Sequence, residues 1–85
     1  MATLDLGNPQ ERLVVLTQSR MQLRQLFMVQ CYSIGIDPLS VDIETYDFVS
    51  MHPNDSYVAE QLQKMAASLV LNAQQIADAE NDIAS

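Results

Sequence analysis

From Val58 onward the apolar residues recur at steps of four and three: Val58, Leu62, Met65, Leu69, Ile76, Ala79 and Ile83, with Asn72 in the one gap. That period lays them along one stripe of an α-helix. In heptad letters Leu62, Leu69, Ile76 and Ile83 take a, and Val58, Met65, Asn72 and Ala79 take d. Beside the stripe runs a line of small residues, Ala59, Ala66 and Ala73, each seven positions from the next. Small side chains on a flank let a second helix come close, which favours an antiparallel or multi-helix contact over a simple zipper. The expected helix covers residues 55–83. Asn54, Asp55 and Ser56 are all suitable N-caps for it.

A second long helix is expected over residues 8–34. Asn8 suits the N-cap, Pro9 the first helical position and Glu11 the third, as in a capping box. Gly35 and Pro38 mark its end. This helix is apolar on more than one side. Leu13, Leu16, Leu23, Phe27 and Ile34 form one seam, interrupted by Arg20 and Gln30. Val14, Met21, Met28 and Tyr32 form a second line, with Leu26, Val29 and Cys31 between. A helix with two apolar faces calls for two neighbours.

Residues 35–54 connect the two helices, and residues 1–7 read as a loose leader. Leu39 to Glu44 alternates as a strand does, yet Leu39, Ile43, Tyr46 and Val49 also fit helical spacing. A lone strand has no sheet to join in so short a chain. The expectation is an extended or single-turn connector whose apolar side chains cover the helices, with a short middle helix as the alternative. The fold class is therefore all-α: a single small domain, built as an antiparallel two-helix hairpin with coiled-coil-like packing. Its expected packing and interface residues are Leu62, Met65, Leu69, Asn72 and Ile76 on one helix and Leu23, Phe27 and Met28 on the other. Asn72 is either a buried register pin or a rim residue that meets water. Antiparallel pairing also brings Arg12 near Asp78, Glu80 and Asp82, where the helix dipole disfavours acids. It sets Arg20 and Arg24 near Lys64 and Glu60. A solvated, fraying acidic tail is the competing reading of the three acids.

Composition narrows the range of functions. The chain has 85 residues, and a domain of this size buries only roughly 60–65% of its unfolded surface. Such chains often add disulfides, a metal or a partner. Cys31 and His52 are the only residues of their kinds, which removes disulfides within the chain and cysteine-rich metal sites. A protein partner, or a second copy, is the remaining staple. Eleven acids against four bases give a net charge of −7, which disfavours nucleic acid and anionic membranes as partners. No secretory signal or membrane span is visible, and the single cysteine suits a reducing compartment such as the cytoplasm. The interior of a particle such as a virion fits equally well.

No catalytic constellation stands out, and no cofactor is expected. His52 lies near Ser50 and Ser56, but a turn histidine is the better reading. Asp37, Asp42, Glu44 and Asp47 lack the glycine and closing glutamate of a calcium loop, so a solvated acidic edge is the better reading there. Cys31, inside an apolar run, reads as inert core.

Pro53-Asn54-Asp55, followed by Val58-Ala59-Glu60 and Lys64-Met65, resembles the needle and rod subunits of type III export systems. Those are chains near this length with two long helices joined by a polar turn. The likeness covers the second half of the chain; the connector here is longer, and helix 1 more apolar. It implies helical assembly. The functional expectation is a non-catalytic assembly protein, a subunit of a homo-oligomer or larger particle, in which Leu69 and Phe27 matter most. The alternative is an acidic adaptor, chaperone or inhibitor that covers a basic surface through Asp42, Glu44 and Asp47, and whose affinity falls with salt.

Overall fold

The computed structural model describes residues 8–84, so the leader over 1–7 lies outside the described residues. Helix α1 spans Pro9–Ser33, a single turn α2 spans Phe48–Met51, a 3-10 turn spans Pro53–Asp55, and α3 spans Ser56–Ala84. The two long helices pack against each other as an all-α hairpin. Its Cα radius of gyration is 15.5 Å, against about 12 Å for a compact chain of this length. The molecule is a short rod.

Local chemistry sets the ends of α1. Asn8 has extended backbone angles, and its side-chain oxygen accepts the Gln10 N–H at 2.9 Å. At the other end Gly35 takes φ +77, which an L side chain adopts only under strain. That geometry lets Gly35 N–H reach the Tyr32 carbonyl and Ile36 N–H reach the Cys31 carbonyl, which satisfies two orphan carbonyls of the last turn. Ile36 and Cys31 are both buried in the core, so the hydrophobic contact that accompanies this cap is present too.

The connector is neither strand nor long helix. It runs as a strap of turns over the hairpin, and each acid-led turn closes on its own side chain. Asp37 accepts from Leu39 N–H at 3.0 Å, and Asp42 accepts from Glu44 N–H at 2.9 Å. Asp47 caps α2 through Ser50 N–H at 3.1 Å. These short-range bonds give the backbone an alternative to a strand ladder. The apolar residues between them turn inward: Ile36 and Phe48 are buried, and Val41, Ile43 and Tyr46 pack against the core. Leu39, Val49 and Met51 stay exposed.

Phe48 is the keystone. It is fully buried and meets Phe27 edge-on at 5.8 Å and Tyr46 at 4.7 Å. Its backbone N–H donates to Gln63 Oε1 at 2.9 Å, while Gln63 Nε2 donates to the Tyr46 carbonyl at 3.4 Å. One glutamine of α3 thus pairs with the connector in the way a neighbouring strand would. Underneath, Ala59 and Ala66 are fully buried, whereas Val58 and Met65 are only partly so. The alanine line, read from the sequence as a flank, is central where the strap crosses it. The reason is space: α3 faces α1 on one side and the connector on the next, and only small residues fit between. Below the strap Ala73 is exposed, and Ile83, assigned to the stripe, is also exposed. Ser56 follows directly from the 3-10 turn, so α3 begins by continuation of that turn.

Candidate functional site

The eight residues expected to pack or to form an interface divide into four places. Phe27, Leu62 and Leu69 are buried in the core cluster, with Leu23 and Met65 packed against it. Met28 is half-buried beside Arg24, Pro38, Leu39 and Ile43, and Ile76 is half-buried farther along α3. Asn72 lies apart, toward the open end of the hairpin. The core members hold this chain together and are not available to a partner. Replacing Leu69 or Phe27 therefore tests folding rather than assembly.

Asn72 is 5% exposed, which excludes the rim reading. Its Nδ2 donates to the Leu16 carbonyl at 3.0 Å, and its Oδ1 is buried without a protein partner. A buried amide that bonds in one register penalises slippage of α3 along α1. Arg20 reinforces that register by donating to the Leu69 carbonyl at 3.3 Å. This corrects the placement of Arg20 near Lys64 and Glu60. At the open end Arg12 Nη2 donates to Asp82 Oδ2, so one of the three clustered acids is paired.

The remaining candidates for chemistry serve local structure. His52 Nε2 lies 2.7 Å from the Tyr46 hydroxyl, while Ser50 Oγ donates to Asp47 and not to His52. The Ser50 backbone N–H, then its hydroxyl, hold the Asp47 carboxyl below the usual carboxylate range. Asp37, Asp42 and Asp47 thus each accept a hydrogen bond in a turn or a cap. Among the described residues no three histidine, cysteine or carboxylate side chains are placed to share a metal ion. Burial pushes the Cys31 thiol up to about 11, as expected of a core cysteine. The sequence reading of Cys31 as inert core agrees with its place in the core cluster.

That second face is the most unusual surface of the molecule. Turned away from α3, it carries Val14, Met21, Leu26, Val29 and Tyr32, each between 55% and 67% exposed. Gln18, Gln22 and Gln25 fill the positions between them, and no charged residue interrupts the strip from 14 to 19 or along its centre to 32. Arg20 and Arg24 point instead to the connector side, where they line a small cleft with Leu39 and Ile43. Two shallow concavities follow each other along the strip. One, of ≈ 330 Å³, is lined by Gln18, Met21, Gln22 and Gln25; the next, of ≈ 450 Å³, by Gln22, Gln25, Leu26 and Val29. Both sets have the spacing i, i+3, i+4, i+7, that of the hole which receives one side chain of a facing helix. The apolar residues of this face were legible in the sequence. The glutamine-lined holes were missed, although the seven-residue spacing of Gln18 and Gln25, and of Val15, Gln22 and Val29, marks them.

No helix among the described residues is long and apolar enough to cross a membrane. No known protein family, characterised protein or solved structure matches this chain.

Proposed function

We propose that this chain is a non-catalytic assembly subunit that docks on other protein through the outer face of α1. The observation that carries this reading is the uncharged strip from Val14 to Tyr32 in a chain of net charge −7. The outer face of α3 over residues 65–77 is uncharged too, but Leu71 is its one large exposed apolar side chain, against five on the α1 strip. Fully burying a side chain of this kind is worth ~1.5–3 kcal/mol, so covering the exposed part of four of them contributes roughly 4–7 kcal/mol. Association costs ~4–15 kcal/mol, so a single such contact is weak and a repeated one in a particle is strong. High salt screens the repulsion between acidic chains and leaves the apolar contact intact, so association persists or strengthens with salt.

The test is size fractionation of extracts in which the chain is made at its natural level. The expected result is migration in a large assembly, with Val29→Lys releasing a small free chain. Val29 is mostly exposed, so the substitution leaves the hairpin folded. A native chain that migrates alone at its own 9.5 kDa contradicts the reading.

A further inference from the structure

We infer that the small cleft between α1 and the connector holds a carboxylate carried by an acidic segment of another protein. This site lies on the flank of α1 and does not rest on the reading of the outer strip. Arg20 and Arg24 stand one helical turn apart and line the cleft together. Residues four apart on a helix have Cβ atoms ~5–6 Å from each other, close enough for one anion to meet both guanidinium groups. The floor of the cleft is the core itself, at Phe27 and Leu69, which are 4% and 2% exposed. Leu39 and Ile43 of the connector form the facing wall, and Leu39 is 78% exposed.

The two arginines are short of partners. The chain has eleven acids and four bases, yet no acid among the described residues pairs with either of them. Arg20 donates through Nη1 to the Leu69 carbonyl, which holds its guanidinium at the cleft. The connector acids nearest the cleft in the chain are engaged elsewhere. Asp37 and Asp42 accept from the N–H groups of Leu39 and Glu44, and Glu44 lines a different hollow, with Gln63 and Val70. Like charges four residues apart on a helix repel each other. An anion seated between the two guanidinium groups removes that repulsion and takes up the N–H donors they still have free.

The chemistry of the cleft selects a carboxylate. The planar fork of a guanidinium matches the two oxygens of a carboxylate, and the dry floor strengthens the charged contact. The exposed Leu39 side chain offers an apolar wall to the aliphatic stem that carries it. A net charge of −7 penalises a second negative charge on the ligand, which disfavours a phosphate dianion. Size then selects the source. The cleft measures ≈ 90 Å³, against ~300–1,000 Å³ for sites that enclose a small molecule. It takes the end of a ligand and leaves the body outside. A free carboxylate held by so few atoms binds at about the millimolar level or weaker. Tighter binding needs a body that adds contacts along Leu39 and the rim, as a glutamate set among apolar residues of a protein segment does.

The experiment titrates the isotope-labelled full chain with a capped peptide, Ala-Leu-Glu-Leu-Ala, and follows its amide and arginine side-chain NMR signals. The signals of Arg24, Leu39 and Ile43 are expected to move, with an affinity that falls as salt rises. Arg24 is exposed, so Arg24→Gln leaves the chain folded. That variant, and separately a glutamine in place of the peptide's glutamate, are each expected to weaken binding at least about tenfold. Lys64→Gln, which removes the same charge from α3, and Val29→Ala, on the outer strip, are expected to leave it unchanged. Equal affinity for the two peptides, or for the native chain and Arg24→Gln, overturns the carboxylate site. Tighter binding of a phosphoserine peptide than of the glutamate peptide assigns the cleft to a dianion and overturns the carboxylate. Butyrate that binds as tightly as the peptide overturns a protein segment as the source. Signals that stay in place up to ~10 mM peptide overturn the site altogether.

Discussion

Replacing Phe48 by alanine tests whether the connector is an integral layer of the fold. Phe48 is fully buried, and its ring contacts two others, Phe27 and Tyr46. Truncating a buried phenylalanine costs ~3–5 kcal/mol through lost transfer energy and the cavity left behind. The two edge-on ring contacts, worth ~0.5–1.5 kcal/mol each, place this site toward the upper end of that range. A chain of this length has a total stability of only ~4–13 kcal/mol. The expected loss is therefore a large fraction of the whole and lowers the melting temperature by at least ~12 °C. Far-UV circular dichroism, followed through urea and thermal unfolding, reads both quantities. Val49→Ala is the control: it is the next residue in the chain, it is partly exposed, and its expected cost is within ~1 kcal/mol. If the two variants lose the same small amount, the strap is not docked and the two long helices stand without it.

Three further outcomes follow from single contacts. Gly35→Ala meets no atom within 4 Å of the added methyl group, so its cost is the left-handed backbone alone, ~1–2 kcal/mol in urea unfolding. The Cys31 thiol keeps its proton in the folded chain up to about 11, whereas the unfolded chain releases it from its usual 9.0. Stability is therefore independent of this group below pH 9 and falls as the pH rises toward 11, a loss that Cys31→Ala removes from the pH profile of the urea midpoint. Arg12→Ala breaks a partly exposed pair with Asp82 and is expected to cost no more than ~1 kcal/mol, with the difference from the native chain shrinking in high salt.

The helices were legible in the sequence because their signals are local. Asn8-Pro9 and Gly35 act through bonds to their own neighbours, and the period of the α3 stripe needs only one face of contact. The details of packing were not legible, since they depend on how many neighbours each face has. Ala59 and Ala66 look like a flank until a strap crosses them. Phe48 and Val49 are adjacent apolar residues between Asp47 and Ser50, and nothing in the sequence says which of the two is buried. Asn72 is buried because α1 supplies a carbonyl at Leu16, a partner 56 residues away. The second apolar line of α1 was visible as surplus. Which part of it stays exposed depended on the placement of Cys31 and Met28 beside the core and the connector.

The outer face of α1 can be probed directly by methionine oxidation. Met21, on the strip, and Met51, beside the connector, are 60% and 62% exposed in the single chain, so an isolated molecule oxidises them at similar rates. Peptide mass spectrometry after brief peroxide treatment of the concentrated or assembled protein reads each site separately. Docking through α1 predicts that Met21 is protected several-fold relative to Met51, and that dilution or Val29→Lys abolishes the difference. Equal oxidation of the two methionines in the assembled protein contradicts a function carried by this face.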